Sequence, residues 1–204
     1  KYKKISLRFN QVIKLAYKIE REILGMDGGW QDQIMATMGG LRKILIKKNG
    51  KIKTKKININ KRTLNKFQNR LLLVFSREVR DSYKIIKSLK TNNTHVIKKY
   101  DEIKKLANSF EYFLKNEEFN SIGNIFHDHW QIKRKLSPKM SSSHLDNMYL
   151  KLMEHQSFVG GKIIGAGGGG FFLMLTKSKK DSENYLRKNK FYYKNLILGS
   201  IGSM

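Results

Sequence analysis

The sequence predicts an α+β fold, and three observations carry that prediction. Leu71-Leu72-Leu73-Val74-Phe75 is wholly apolar and strand-sized, as befits a strand covered on both faces. Thr94–Lys115 and Phe119–Leu136 repeat apolar residues at helical spacing, the second stopping just before Pro138. Phe158–Ile164 and Gly170–Thr176 are strand-like and flank a glycine loop. Strand, helices, strands, helix and strand in that order point to α+β rather than a doubly wound sheet.

The elements follow in chain order. Phe9–Leu24 reads as an amphipathic helix, with Phe9, Val12, Ile13, Ala16, Ile19 and Ile23 on one face and Gly25 at the C-cap. Asp27-Gly28-Gly29-Trp30-Gln31-Asp32-Gln33 is a tight segment opening a short helix that stops at Gly39-Gly40. Leu41–Ile46 and Lys51–Ile59 form a hairpin around the turn Lys48-Asn49-Gly50. Beyond the strand at Leu71, Asp81–Leu89 begins a helix. Ser141–Gln156 is another, with Ser141, Ser142 and Ser143 as N-cap candidates and Leu145, Met148, Tyr149 and Leu152 on one face. A polar helix, Lys179–Asn189, leads into a last strand near Leu196–Ile201.

Composition bounds the function. The 204 residues suffice for a sizeable core and contain no cysteine, which excludes disulfides and thiolate metal sites and suits a cytoplasmic protein. The longest apolar run is far short of a membrane span. The formal charge of +26 invites a nucleic-acid reading, but 33 of the 42 basic residues are lysines spread along the whole chain. With Ile and Asn also abundant, this looks like a codon-level bias. Arginine, the residue suited to bidentate phosphate and base recognition, is sparse, so nucleic acid is not the expected partner. The positive surface can still attract phosphorylated substrates.

Three segments carry chemistry. In Gly28-Gly29-Trp30-Gln31-Asp32-Gln33 the glycines let the backbone turn sharply beside a ligand. Asp32 follows at a helix start, where the helix dipole favours a carboxylate able to accept a hydroxyl proton. The plainer alternative is that Asp32 only caps the helix. Gly165-Ala166-Gly167-Gly168-Gly169-Gly170 formally matches G-x-G-x-x-G, but a strand follows it instead of a helix, so the dinucleotide reading fails. Such a loop can still offer backbone N–H groups to a phosphate or a neighbouring loop. Lys133-Arg134-Lys135-Leu136-Ser137-Pro138-Lys139-Met140-Ser141-Ser142 places cations beside a helix start, either an anion site or a solvated basic helix end. His127 and His129, at i and i+2 of a helix, diverge too far to share a metal. Trp30 and Trp130 are packing residues before they are ligand platforms.

Together Ala16-Tyr17-Lys18-Ile19-Glu20-Arg21, Gly29–Gln33 with Gly39-Gly40, His127–Ser141 and Gly160–Phe171 resemble the GHMP small-molecule kinases. The likeness is strongest to the D-glycero-D-manno-heptose 7-phosphate kinase branch, with fucokinases next. The resemblance implies a two-lobe fold: residues 1–60 as what remains of an N-terminal α/β lobe, and 61–204 as a ferredoxin-like C-terminal lobe. It implies phosphoryl transfer from ATP, with Mg2+, to the anomeric hydroxyl of a sugar or sugar phosphate. Asp32 falls on the family's catalytic aspartate and Glu20 on the position that helps to hold magnesium. Gly29 and Gln31 fall in the substrate-binding segment, and Lys133, Arg134 and Lys139 are candidates to grip a sugar phosphate. Gly165, Gly167, Gly168 and Gly169 fall on the loop that supports the phosphate-binding site.

The sequence departs from the family twice. The ATP-cradling loop, of Pro-x-x-Gly-Leu-Gly-Ser-Ser type, would lie upstream of Lys1, and these 204 residues do not contain it. The chain lacks an initiator methionine, and Lys1–Arg8 has no apolar core of a signal peptide. The expectation is therefore a piece of a longer kinase, inactive by itself; a degenerate non-catalytic basic binding protein is the rival. Phe75-Ser76-Arg77-Glu78-Val79-Arg80 also resembles a family strand end that reads Thr-Gly-x-x-Arg, with Arg77 in place of the glycine.

Overall fold

A computed structural model describes residues 7–47, 49–79, 82–89 and 94–199. Lys48 of the anticipated turn, Arg80 of the strand-end motif, Asp81 at the expected helix start and residues 200–201 of the anticipated last strand lie outside them. The chain divides into two compact units: Lys1–Asn58 with Leu198–Met204, and Ile59–Ile197.

In the first unit, α1 (Phe9–Tyr17) runs without a break into a π-helical stretch, Lys18–Ile23, which closes just before Gly25. Of the predicted apolar face only Ile13 is buried, while Phe9, Ile19 and Ile23 are exposed. Helix α2 (Gln31–Met38) buries Gln33, Ile34 and Thr37. The Arg42 guanidinium caps its C-terminal end, donating to the Gly39 carbonyl at 2.8 Å and the Met38 carbonyl at 3.2 Å. Strands β1 (Arg42–Ile46) and β2 (Ile52–Lys56) pair antiparallel as the expected hairpin, from Arg42 opposite Lys56 to Ile46 opposite Ile52.

The second unit is ferredoxin-like. Its strands β3 (Leu71–Phe75), β4 (Phe158–Ile163), β5 (Phe171–Thr176) and β6 (Tyr193–Asn195) form one antiparallel sheet in the order β4-β5-β3-β6. Between β3 and β4 come α4 (Ser82–Ser88), α5 (Thr94–Lys115), α6 (Phe119–Lys133) and α7 (Ser143–Met153); α8 (Lys179–Lys188) joins β5 to β6. This is the β-α-β-β-α-β succession with an enlarged first helical connection. The core sets Leu72, Val74, Phe172 and Met174 of the central strands against Leu145, Met148, Tyr149 and Leu152 of α7, with Leu186 of α8. The predicted apolar face of α7 is thus its core face, and Ser142 is its N-cap, accepting from the Leu145 N–H at 3.2 Å.

Three sequence expectations change. Helix α3 (Lys61–Gln68) was not anticipated; the Asn60 side chain caps it, accepting from the Thr63 N–H at 2.7 Å. Helix α6 ends at Lys133, and Leu136 packs instead with Ile85, Val96 and Met140 in a smaller cluster. The last strand is not near Leu196–Ile201 but at Tyr193–Asn195, where it pairs with Leu72–Val74 of β3; Ile197 is exposed. Arg77, at the position the family gives to glycine, has φ +60°, the left-handed conformation that glycine favours. Its guanidinium donates to the Lys190 carbonyl at 2.7 Å, so this backbone turn persists without the glycine.

Candidate active site

The first unit brings Glu20, Arg21 and the segment 26–33 together. Arg21 braces the loop before α2 by donating to the carbonyls of Met26 at 3.2 Å, Asp27 at 2.9 Å and Gly29 at 3.4 Å. A Cβ at Gly28 would fall on that guanidinium, so a side chain there would have to displace the arginine brace. Trp30 stacks flat on Tyr17, the ring centroids 3.5 Å apart, and so ties the start of α2 to the end of α1. Trp30, Gln31 and Gly29 therefore sit in a turn whose shape is set from behind by Arg21 and Tyr17.

Asp32 is the second residue of α2, in its first turn, and is exposed. The N-cap position belongs to Trp30 and has no side-chain cap, so Asp32 is not the capping residue. Among the described residues its carboxylate has no hydrogen-bond or ion-pair partner. The neighbouring Gln33 is buried and donates through Nε2 to Glu20 Oε2, while Arg21 lies 3.5 Å from Glu20 Oε1. Gln33 Oε1 is buried and has no partner among the described residues. The Glu20 carboxylate is half-exposed, and a carboxylate oxygen is the kind of hard donor that a magnesium ion would take. Among the described residues no three His, Asp or Glu side chains are gathered for an all-protein cage.

The second unit holds the glycine loop, the connection between β4 and β5. It is gripped at several points: Lys133 Nζ donates to the Gly165 carbonyl at 2.6 Å, the Gly168 N–H to the Met140 carbonyl at 2.9 Å, and the Gly170 N–H to the Glu78 carbonyl at 2.8 Å. Ala166 packs on the Ile85–Met140 cluster. Gly169 has φ +146°, and a Cβ there would stand 2.6 Å from the Glu78 carbonyl oxygen, so backbone lies where any side chain would go. Among the described residues the N–H groups of Gly165, Gly167 and Gly169 have no protein acceptor.

The basic segment divides. Arg134 is engaged by Asp146 at 2.8 Å, whose other oxygen accepts from Ser141 Oγ at 2.6 Å. Lys139 is exposed. Of these three cations, Lys133 alone among the described residues donates to the loop. Two more residues lie within its electrostatic reach: Lys162, and His129, which the sequence offered only as a poor metal ligand. Burial, then the Lys162 charge, pull Lys133 down to about 8, and burial lowers Lys162 as well. His129 is pushed down to about 3, by burial first and then by Lys162 and Lys133. His127 goes elsewhere, to Tyr149 Oη at 2.9 Å. The signal for His129 was its position, one helical turn before Lys133 on α6.

The low value of His129 has a measurable consequence. Between an ordinary histidine value of 6.5 and about 3, the unfolded chain binds a proton that the folded chain does not. Stability therefore falls as the pH drops from 6.5 toward 3. His129→Gln is expected to lose less Tm than the wild type between pH 7 and pH 5 in thermal melts; an equal loss would place the acid sensitivity elsewhere.

Residues 103–195 match the family model described as GHMP kinases C terminal. The chain is 29% identical over 185 residues to a D-glycero-alpha-D-manno-heptose 7-phosphate kinase of Campylobacter jejuni, covering 89% of this chain and 55% of that protein. It is 26% identical over 181 residues to a bifunctional fucokinase/GDP-fucose pyrophosphorylase of Arabidopsis thaliana, covering 85% of this chain and 17% of that one. A solved putative sugar kinase from Campylobacter jejuni superposes with a TM-score of 0.71 at 26% identity, over 97% of this chain and 57% of the other. The chain thus spans about half the length of the heptose 7-phosphate kinase and the solved structure it matches. Among the described residues no helix is long and apolar enough to cross a membrane. Over residues 103–195, the chain is therefore similar to the C-terminal domain of the GHMP kinases.

Proposed function

We propose that this chain is part of a cytoplasmic, ATP-dependent sugar kinase that phosphorylates the anomeric hydroxyl of D-glycero-D-manno-heptose 7-phosphate. The observation that carries the reading is the Asp32 carboxylate: exposed, unpartnered and in the first turn of α2, behind a turn that Arg21 and Tyr17 brace. Asp32 accepts the proton of the sugar hydroxyl as its oxygen attacks the γ-phosphorus of ATP and the bond to ADP breaks. Glu20, held by Gln33, would help to hold a magnesium ion, which would supply charge neutralisation to the phosphates. Gly29 and Gln31 position the sugar, and Gly165, Gly167, Gly168 and Gly169 shape the loop beside the phosphates. Lys133, with Arg134 and Lys139 nearby in sequence, meets the acceptor's phosphate. Residues 1–60 and 61–204 are read as parts of the two lobes of that kinase. The name of the Campylobacter jejuni relative supports heptose 7-phosphate as substrate, and the Arabidopsis thaliana relative makes L-fucose the second sugar to test.

The test is a kinase assay on this chain, alone and within the longest reading frame that contains it, with ATP, Mg2+ and a panel of heptose 7-phosphate, L-fucose and D-mannose. Turnover of heptose 7-phosphate by the longer protein and none by the 204 residues alone is the expected result. Turnover of fucose would move the chain to the sister branch. No turnover by either protein would overturn the kinase reading in favour of a non-catalytic binding protein.

A further inference from the structure

The glycine loop has an unbalanced electrostatic neighbourhood. His129 and Lys133 lie one turn apart on α6, and Lys162 is on β4, three residues before Gly165. All three feel one another electrostatically. Among the described residues none of them has a carboxylate within ion-pair reach. Lys133 is fixed at the loop by its 2.6 Å bond to the Gly165 carbonyl. The Lys162 ammonium sits 5.2 Å from the centre of the Phe126 ring, a weak substitute for a counter-ion. His129 Nδ1 is buried and has no partner among the described residues. Elsewhere in this lysine-rich chain an unpaired ammonium is solvated at little cost, but here partial burial makes the missing negative charge expensive.

We propose that His129, Lys133 and Lys162 form, with the free N–H groups at the start of the glycine loop, a binding site for a phosphate monoester. Two ammonium groups match a dianion, a neutral imidazole can donate one hydrogen bond, and the N–H groups of Gly165 and Gly167 are available donors. An arginine fork is not required, since a compact ammonium binds a phosphate as a point charge. Assigning the monoester to the acceptor sugar, rather than to the nucleotide, rests on the kinase reading above. On that assignment Lys162 selects phosphorylated over free sugars.

The 204-residue chain is titrated calorimetrically at constant ionic strength with D-mannose 6-phosphate, D-mannose, inorganic phosphate and ADP. Mannose 6-phosphate is expected to bind and mannose not to. Lys162→Gln and Lys133→Gln should each weaken mannose 6-phosphate at least tenfold, Lys162→Arg should retain most of the binding, and the exposed Lys188→Gln should change it less than twofold. Unchanged circular dichroism in the variants separates lost binding from lost fold. Equal weakening by Lys188→Gln would reduce the effect to general charge attraction and overturn the site, as would unchanged binding in both cluster variants. Competition between ADP and mannose 6-phosphate would assign the site to nucleotide phosphate and overturn the acceptor assignment. If the cluster variants lose binding but the longer protein has no kinase activity, the site stands and the kinase reading fails. If the longer protein phosphorylates heptose 7-phosphate with an unchanged KM in Lys162→Gln, the reverse holds.

Discussion

Asp32→Asn is expected to lower the turnover of the longest reading frame by roughly 10²- to 10⁴-fold, the usual range for loss of a positioned general base. The substitution keeps shape and removes only the charge and the basic oxygen. Asp32 is exposed and makes no hydrogen bond among the described residues, so no internal contact is broken. The structural cost is the loss of a negative charge in the first turn of α2, about 0.3–1 kcal/mol. Activity and stability should therefore separate: near-complete loss of phosphoryl transfer with a Tm within a few degrees of wild type. Glu20→Gln gives a different signature, because Glu20 accepts from Gln33 and faces Arg21, so loop bracing and magnesium requirement should both suffer. Wild-type turnover in Asp32→Asn would remove this aspartate from the chemistry and leave it a helix-terminal charge.

What the sequence disclosed depended on how densely each element carries its own signal. Helix α7 has four buried residues at helical spacing and a serine cap, and both were legible. Helix α3 buries only Thr63 and Phe67 in an otherwise polar stretch, so its one strong mark was the Asn60 cap. Strand β6 was misplaced because Leu196 and Ile197 look like strand residues, whereas the chain pairs through the main chain of Tyr193–Asn195 at a sheet edge. The π-helical stretch keeps the hydrophobic residues of an ordinary helix, and a change of bonding over six residues leaves no compositional trace. The same logic divides the site. Asp32 and the glycine loop are visible as motifs. The roles of Arg21 and Gln33 come from which carbonyls and carboxylates they reach, and those of His129 and Lys162 from burial without a counter-charge.

Gly160→Ala is expected to be among the most destabilising single substitutions in the second unit. A Cβ at Gly160 would overlap the Gly123 carbonyl oxygen and stand 2.7 Å from its carbonyl carbon, so the obstacle is the backbone of α6. A side chain can rotate away, whereas a helix backbone must move as a body. Helix α6 carries the buried Ile122, Phe126 and Trp130, and shifting it opens the packing of all three. Overpacking of this kind costs about 1–3 kcal/mol, and a backbone obstacle belongs at or beyond the upper end. Gly123→Ala is the informative comparison. Its Cβ would meet the Val159 side chain, stand 2.7 Å from Val159 Cβ and lie 3.2 Å from Leu175 Cδ2, so β4 must shift at Val159, but alanine gains about 0.8–1.0 kcal/mol of helix propensity over glycine to offset part of that cost. Urea unfolding should therefore rank Gly160→Ala below Gly123→Ala, with wild type the most stable. The same displacement would part Lys133 on α6 from Lys162 on β4, so Gly160→Ala should also weaken phosphate monoester binding without touching a ligand-binding group. The opposite ranking would mean that β4 gives way more easily than α6, and that the spacing of the two lysines is set elsewhere.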